Sequence, residues 1–109
     1  MKEVVVVEPH KVEIREVPVP ELKNEDEVLI QMKAAGVCGS DQHIYHGKNP
    51  NSTYPRIPGH ENAGIIAKVG KNVTNVKVGD HVIVDLLSSC GTCYQCTHGR
   101  KNVCGHVRV

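Results

Sequence analysis

The chain has 109 residues and a formal net charge of +1, from 13 basic and 12 acidic side chains mixed along its length. So even a balance gives no electrostatic footprint for a nucleic acid or an anionic membrane, and no apolar run approaches the ~20 residues that span a bilayer. Met1–Val7 lacks the apolar stretch and cleavage site of a secretory signal, so the expected compartment is the cytoplasm.

The apolar content is aliphatic. There are 18 Val, three Tyr, and no Phe or Trp. Valine is stiff at its first side-chain torsion and fits a pleated surface, which points to β structure. Lys2–Glu8 and Lys11–Val17 read as strands around a Glu8-Pro9-His10 turn, the second alternating Val12, Ile14 and Val17 with charged residues. Pro18 and Pro20 stop it, and Glu21–Asp26 is a polar connection. Glu27–Ala35 resumes a strand. Between Gly36 and Gly47 the β formers thin out, and Ser40 or Asp41 is placed to cap a short helix over Gln42–His46. Asn49–Pro58 is a loop, Glu61–Val69 a strand, Lys71–Asp80 a turn-rich connection and His81–Leu87 a strand. From Ser88 small and polar residues surround four cysteines, and Val107-Arg108-Val109 looks like the start of another strand, which suggests truncation. The class is mainly β: a partly open barrel with long loops and one or two short helices at most.

Cys90, Cys93, Cys96 and Cys104 are spaced C-x2-C-x2-C-x7-C. In a chain without a secretion signal, tight cysteine spacing favours metal over disulfides. Four thiolates in a tetrahedron make a closed, structural zinc site. Gly91 and Gly99, and Gly105 after the last sulfur, allow the backbone such a knot needs. An iron–sulfur cluster is the main rival, since three cysteines at this spacing also occur in ferredoxin-type sites.

Cys38 and His60 are isolated in sequence. Alone, each reads as a small buried hydrophobe and a surface imidazole. Together with Glu61 they supply thiolate, imidazole and carboxylate, the donors of a catalytic zinc with an open position. Ser40 and His43 are close enough to Cys38 to pass a proton from a bound alcohol to solvent. Asp41 is placed to hold a ligating imidazole by its other nitrogen. His10, His46, His81, His98 and His106 read as surface or loop residues, although His98 and His106 flank Cys104 and either could replace a sulfur. Arg56, near His60, faces either the site or solvent.

The stretch Gly59-His60-Glu61-x2-Gly64-x5-Gly70-x2-Val73 resembles the signature of the zinc-dependent medium-chain alcohol and polyol dehydrogenases at every fixed position. Cys38-Gly39-Ser40-Asp41-x-His43 is similar to that family's catalytic-zinc loop, and the four cysteines to its structural lobe, here about residues 88–105. The wording is most similar to the polyol, threonine and RspB-like dehydrogenases. The resemblance implies a GroES-like barrel over residues 1–109. It implies catalytic zinc on Cys38 and His60 with Glu61 as a nearby or exchanging ligand, and structural zinc on Cys90, Cys93, Cys96 and Cys104. Ser40 would hydrogen-bond the substrate hydroxyl, His43 would continue the relay, and Asp41 would orient His60. The implied reaction is hydride transfer between an alcohol or polyol and NAD(P), in a protein that is homo-oligomeric at full length.

The sequence holds no G-x-G-x-x-G and no βαβ pattern, so the nucleotide-binding domain is expected outside it, with the third ligand of the catalytic zinc. The chain alone is therefore expected to be inactive. Two other classes stand beside this one. A non-enzymatic zinc module needs the cysteine lobe but no second open site, and a co-chaperonin-like barrel needs neither.

Overall fold

A computed structural model of the chain describes residues 1–108. Five strands form two antiparallel sheets. In the first, β1 (Lys2–Glu8) pairs with β2 (Lys11–Glu16), with Val4 opposite Ile14 and Val6 opposite Val12. The Val17 amide still donates to the Met1 carbonyl at 2.9 Å, so the pairing reaches the limit read from the sequence. In the second sheet β3 (Val28–Gly36), β4 (Glu61–Val69) and β5 (His81–Ile83) lie in that order. The expected partly open barrel is two sheets that do not close on one another.

Two features differ from the sequence reading. The strand expected over His81–Leu87 ends at Ile83, because its partner runs out. Ala63 opposes Ile83, Val84 donates to the Asn62 carbonyl at 2.9 Å, and Glu61 is the first residue of β4. Asp85 and Leu86 are thereby free to turn toward His60. The helix α1 spans Gly39–Tyr45 and starts from Cys38, which is its N-cap, rather than from Ser40 or Asp41. Asp41 does act in the cap, from the third helical position: its Oδ2 accepts the Cys38 backbone N–H at 2.9 Å.

The buried apolar residues of the sheets and α1 are Val5, Val6, Ile44 and Ile66. Ile44 anchors α1, whose end is tied to the β1–β2 turn by the His10 amide on the Tyr45 carbonyl at 2.8 Å. Arg56 donates to and accepts from the backbone of Val6, which brings the loop before His60 against β1. Gly64, a fixed position of the signature, has a direct reason to be glycine. The Gln31 carbonyl of β3 lies where its Cβ would be. Several apolar side chains remain exposed, including Ile83 at 84%, Val37 at 82% and Ile14 at 72%. Among the described residues no helix is long and apolar enough to cross a membrane.

Candidate metal centres

Strand pairing assembles the first centre. β3 and β4 are antiparallel with Gly36 opposite Glu61, so the end of one strand meets the start of the other. Cys38 lies two residues past that pair and His60 one residue before it. A donor atom from each of Cys38, His60 and Glu61 therefore falls within 4.8 Å of the other two. Cys38 and His60 are half-buried and Glu61 is exposed. Gly36 makes room for the third member, because the Glu61 carboxylate occupies the space of the missing Cβ.

Asp41 stands behind His60. With Oδ2 engaged by the Cys38 amide, Oδ1 is buried and has no hydrogen-bond partner among the described residues. It faces His60 Nδ1 at 3.7 Å, just outside hydrogen-bond range. A buried carboxylate oxygen without a partner is costly, and a small rotation of the imidazole would satisfy it. That leaves Nε2 as the free nitrogen of His60. In front lies a cleft of about 270 Å³, whose lining includes Ser40, Arg56, Ile57, His60 and Leu86. Ser40 is thus on the cleft. His43 is exposed on α1 and outside this lining. Arg56 is half-buried at the cleft rather than free in solvent. Leu86 was hidden from sequence reading by its assignment to a strand.

The second centre is a separate lobe. It is closed by the pairing of Ser88 with Arg108, with N–H to carbonyl distances of 2.9 and 3.0 Å. The strand expected at Val107-Arg108-Val109 is therefore a single bridge at Arg108, and Val109 lies outside the described residues. A short helix α2 (Tyr94–Thr97) starts from Cys93, and a 3-10 turn covers Lys101–Val103. Gly91 and Gly99 have φ of 76° and 77°, whereas Gly105 lacks the positive φ expected of it.

All five cysteines are free thiols, so no disulfide forms. Cys104 Sγ lies 3.5 Å from Cys90 Sγ and 3.8 Å from Cys93 Sγ, and Cys90 Sγ lies 3.9 Å from Cys96 Sγ. A tetrahedron with metal–sulfur bonds of ~2.3 Å has sulfurs about 3.8 Å apart, so the donors fit a zinc ion. The sulfurs also receive N–H donors: Cys93 N–H reaches Cys90 Sγ at 3.3 Å, and Cys90 and His106 N–H reach Cys104 Sγ at 3.4 and 3.3 Å. His106 is not a solitary surface residue. A ring nitrogen shares a 4.8 Å cluster with the sulfurs of Cys90, Cys93 and Cys104.

These contacts shift the thiols apart. Cys90 is pulled down to about 5, first by the Thr92 amide and then by the Cys93 amide. Cys93 falls to about 7 through the amides of Cys96 and Gly105. Burial pushes Cys96 up to about 11. The Cys90 and Cys93 sulfurs raise His106 above its ordinary value. A depressed thiol stabilises the folded lobe fully above its unfolded value of 9.0, and that contribution is lost as pH falls toward 5.

The family profile described as the alcohol dehydrogenase GroES-like domain matches residues 24–109. The chain belongs to that family. Starvation-sensing protein RspB of Escherichia coli K12 is 46% identical over 111 residues, covering all of this chain and 32% of its own length. An uncharacterised zinc-type alcohol dehydrogenase-like protein of Haemophilus influenzae is 46% identical over 110 residues, again all of this chain and 32% of that protein. The crystal structure of an alcohol dehydrogenase (rspB) from Escherichia coli CFT073, complexed with NADH, superposes with a TM-score of 0.84 at 44% identity, over all of this chain and 31% of that one. The chain thus spans about a third of the length of these relatives.

Proposed function

We propose that the chain is the zinc-carrying catalytic domain of an NAD(P)-linked dehydrogenase acting on a small alcohol or polyol. The observation that carries this is the convergence of Cys38, His60 and Glu61 beside a cleft, in a domain of the alcohol dehydrogenase family. Cys38 and His60 would hold the catalytic zinc, with Glu61 as a near or exchanging donor. Cys90, Cys93, Cys96 and Cys104 would hold the structural one. The catalytic ion, when bound, lowers the pKa of an alcohol so that hydride can leave near neutral pH.

The remaining roles fall to side chains of this chain. Ser40, on the cleft, takes the hydroxyl proton, and His43, on the solvent side of the same helix, passes it outward. Asp41, which faces Nδ1 of His60, would orient the ring and leave Nε2 free to hold the ion. A closed tetrathiolate lobe by itself would suit a non-enzymatic zinc module; the second, open donor set is what such a module does not need.

The nicotinamide cofactor needs a domain outside these 109 residues, which carry no glycine-rich phosphate loop. Its docking would cover exposed apolar residues such as Ile83 and Val37. The purified chain is accordingly expected to oxidise no alcohol with NAD⁺ or NADP⁺, while the longer protein that carries it does so. Turnover by the 109-residue chain alone, or none by the longer protein across primary alcohols, secondary alcohols and polyols, would contradict the proposal.

A further inference from the structure

The cysteine lobe holds more donors than one tetrahedral ion uses. Four sulfurs converge there, and the imidazole of His106 converges on three of them. We propose that His106 is a reserve ligand, so that the lobe can hold its ion either on Cys90, Cys93, Cys96 and Cys104 or on Cys90, Cys93, Cys104 and His106. The proposal rests on the reading of the lobe as a metal site.

Geometry singles out Cys96 as the sulfur that His106 replaces. The donor atoms of Cys90, Cys93, Cys104 and His106 all lie within 4.8 Å of one another, and that set does not include Cys96. The three shared sulfurs lie outside α2, whereas Cys96 is a residue of that helix. His106 is held in position by its own backbone, whose N–H donates to Cys104 Sγ at 3.3 Å. Its ring approaches from the exposed side of the lobe. Three thiolates and one imidazole form a complete structural zinc set in their own right. Exchange of Cys96 for His106 changes one metal–sulfur bond into one metal–nitrogen bond and leaves the other three in place.

Cobalt(II) is the probe, because thiolate-to-cobalt charge transfer counts the sulfurs and the d–d bands move to shorter wavelength when nitrogen replaces one. All chains carry Cys38→Ser, which removes the other donor set. The parent chain should bind one cobalt with the spectrum of four thiolates, and His106→Ala should leave both spectrum and affinity near those of the parent. Cys96→Ser should still bind one cobalt, with three-thiolate intensity, shifted bands and an affinity within about tenfold of the parent. Adding His106→Ala to Cys96→Ser should weaken binding by more than the ~100-fold that bounds loss of an outer partner.

Circular dichroism follows each titration. A Cys96→Ser chain that is unfolded without metal but folds with one cobalt and a three-thiolate spectrum supports the proposal. One that stays unfolded or unbound at saturating cobalt overturns it, as does a shifted spectrum that survives His106→Ala. If the parent binds no cobalt, the metal reading of the lobe fails as well. If the parent binds and Cys96→Ser does not, only the reserve ligand fails.

Discussion

Replacing Cys93 by serine is expected to cost the protein one zinc and the order of the whole segment between Ser88 and Arg108. The reason is a matter of magnitude. Structural zinc contributes roughly 10–16 kcal/mol in small metal-folded peptides, while an entire domain is stable by about 5–15 kcal/mol. The lobe has little else. Its only buried apolar residues among those described are Cys96 and Cys104, both thiols of the cluster. Its secondary structure is a four-residue helix and a three-residue turn, and the Ser88–Arg108 bridge ties its ends. Without an ion, sulfurs packed 3.5–3.9 Å from their neighbours have no cation to hold them together. The two sheets have their own pairings and the buried Val5, Val6 and Ile66, so they should survive. Amide hydrogen exchange distinguishes the outcomes. Protection should vanish between residues 90 and 104 in Cys93→Ser, or in the parent after chelation, and persist in β3 and β4. Unchanged protection in the metal-free lobe would show that zinc does not hold it together.

The second large effect concerns Cys38. If the domain serves a longer dehydrogenase, as proposed, Cys38→Ser in that protein should lower kcat/KM by about a thousandfold or more. A Lewis-acid ion contributes several kcal/mol to the transition state, and each 1.36 kcal/mol is about tenfold in rate. Excess zinc should not restore the loss, because a serine hydroxyl does not replace a thiolate. Asp41→Asn makes the informative comparison. It keeps the Cys38 amide bond within reach but removes the charge that faces His60 at 3.7 Å. Losses of this kind cost about 10–100-fold in metal affinity, so added zinc should recover most of the activity. An Asp41→Asn enzyme that is inactive at saturating zinc would mean that Asp41 does more than position His60.

The sequence makes one kind of feature plain and leaves another hidden. The strands Lys2–Glu8 and Glu61–Val69 run between the limits that their residues suggest, although Gly64 interrupts the second. Cysteine spacing marks the lobe because the ligands are local: the knot is built within one short segment. What depends on a distant partner is less legible. The apolar run after His81 looks like a strand as far as Leu87, but a strand extends only while its neighbour does, and β4 begins at Glu61. Capping chemistry pointed to Asp41, yet its carboxylate reaches back from inside the helix, so the helix starts earlier than its own side chain suggests. α2 is a single turn within the cysteine knot and has no apolar periodicity to announce it.

The same division applies to the sites. Cys38, His60 and Glu61 could be grouped by donor chemistry and by resemblance to a family but not by position, since the register of Gly36 against Glu61 cannot be read from either segment alone. His106 shows the opposite difficulty. It lies two residues from Cys104, but only the turn of the chain there shows that its ring comes back onto the sulfurs.

Zinc content per chain, measured by elemental analysis on the parent with Cys38→Ser and Cys93→Ser alongside, tests the central claim most directly. One zinc, kept in Cys38→Ser and lost in Cys93→Ser, is the predicted result for the chain alone, with a second zinc lost in Cys38→Ser once the longer protein supplies the missing ligand. A parent without zinc, or a longer protein whose zinc is indifferent to Cys38, would contradict the assignment of a dehydrogenase metal site to this domain.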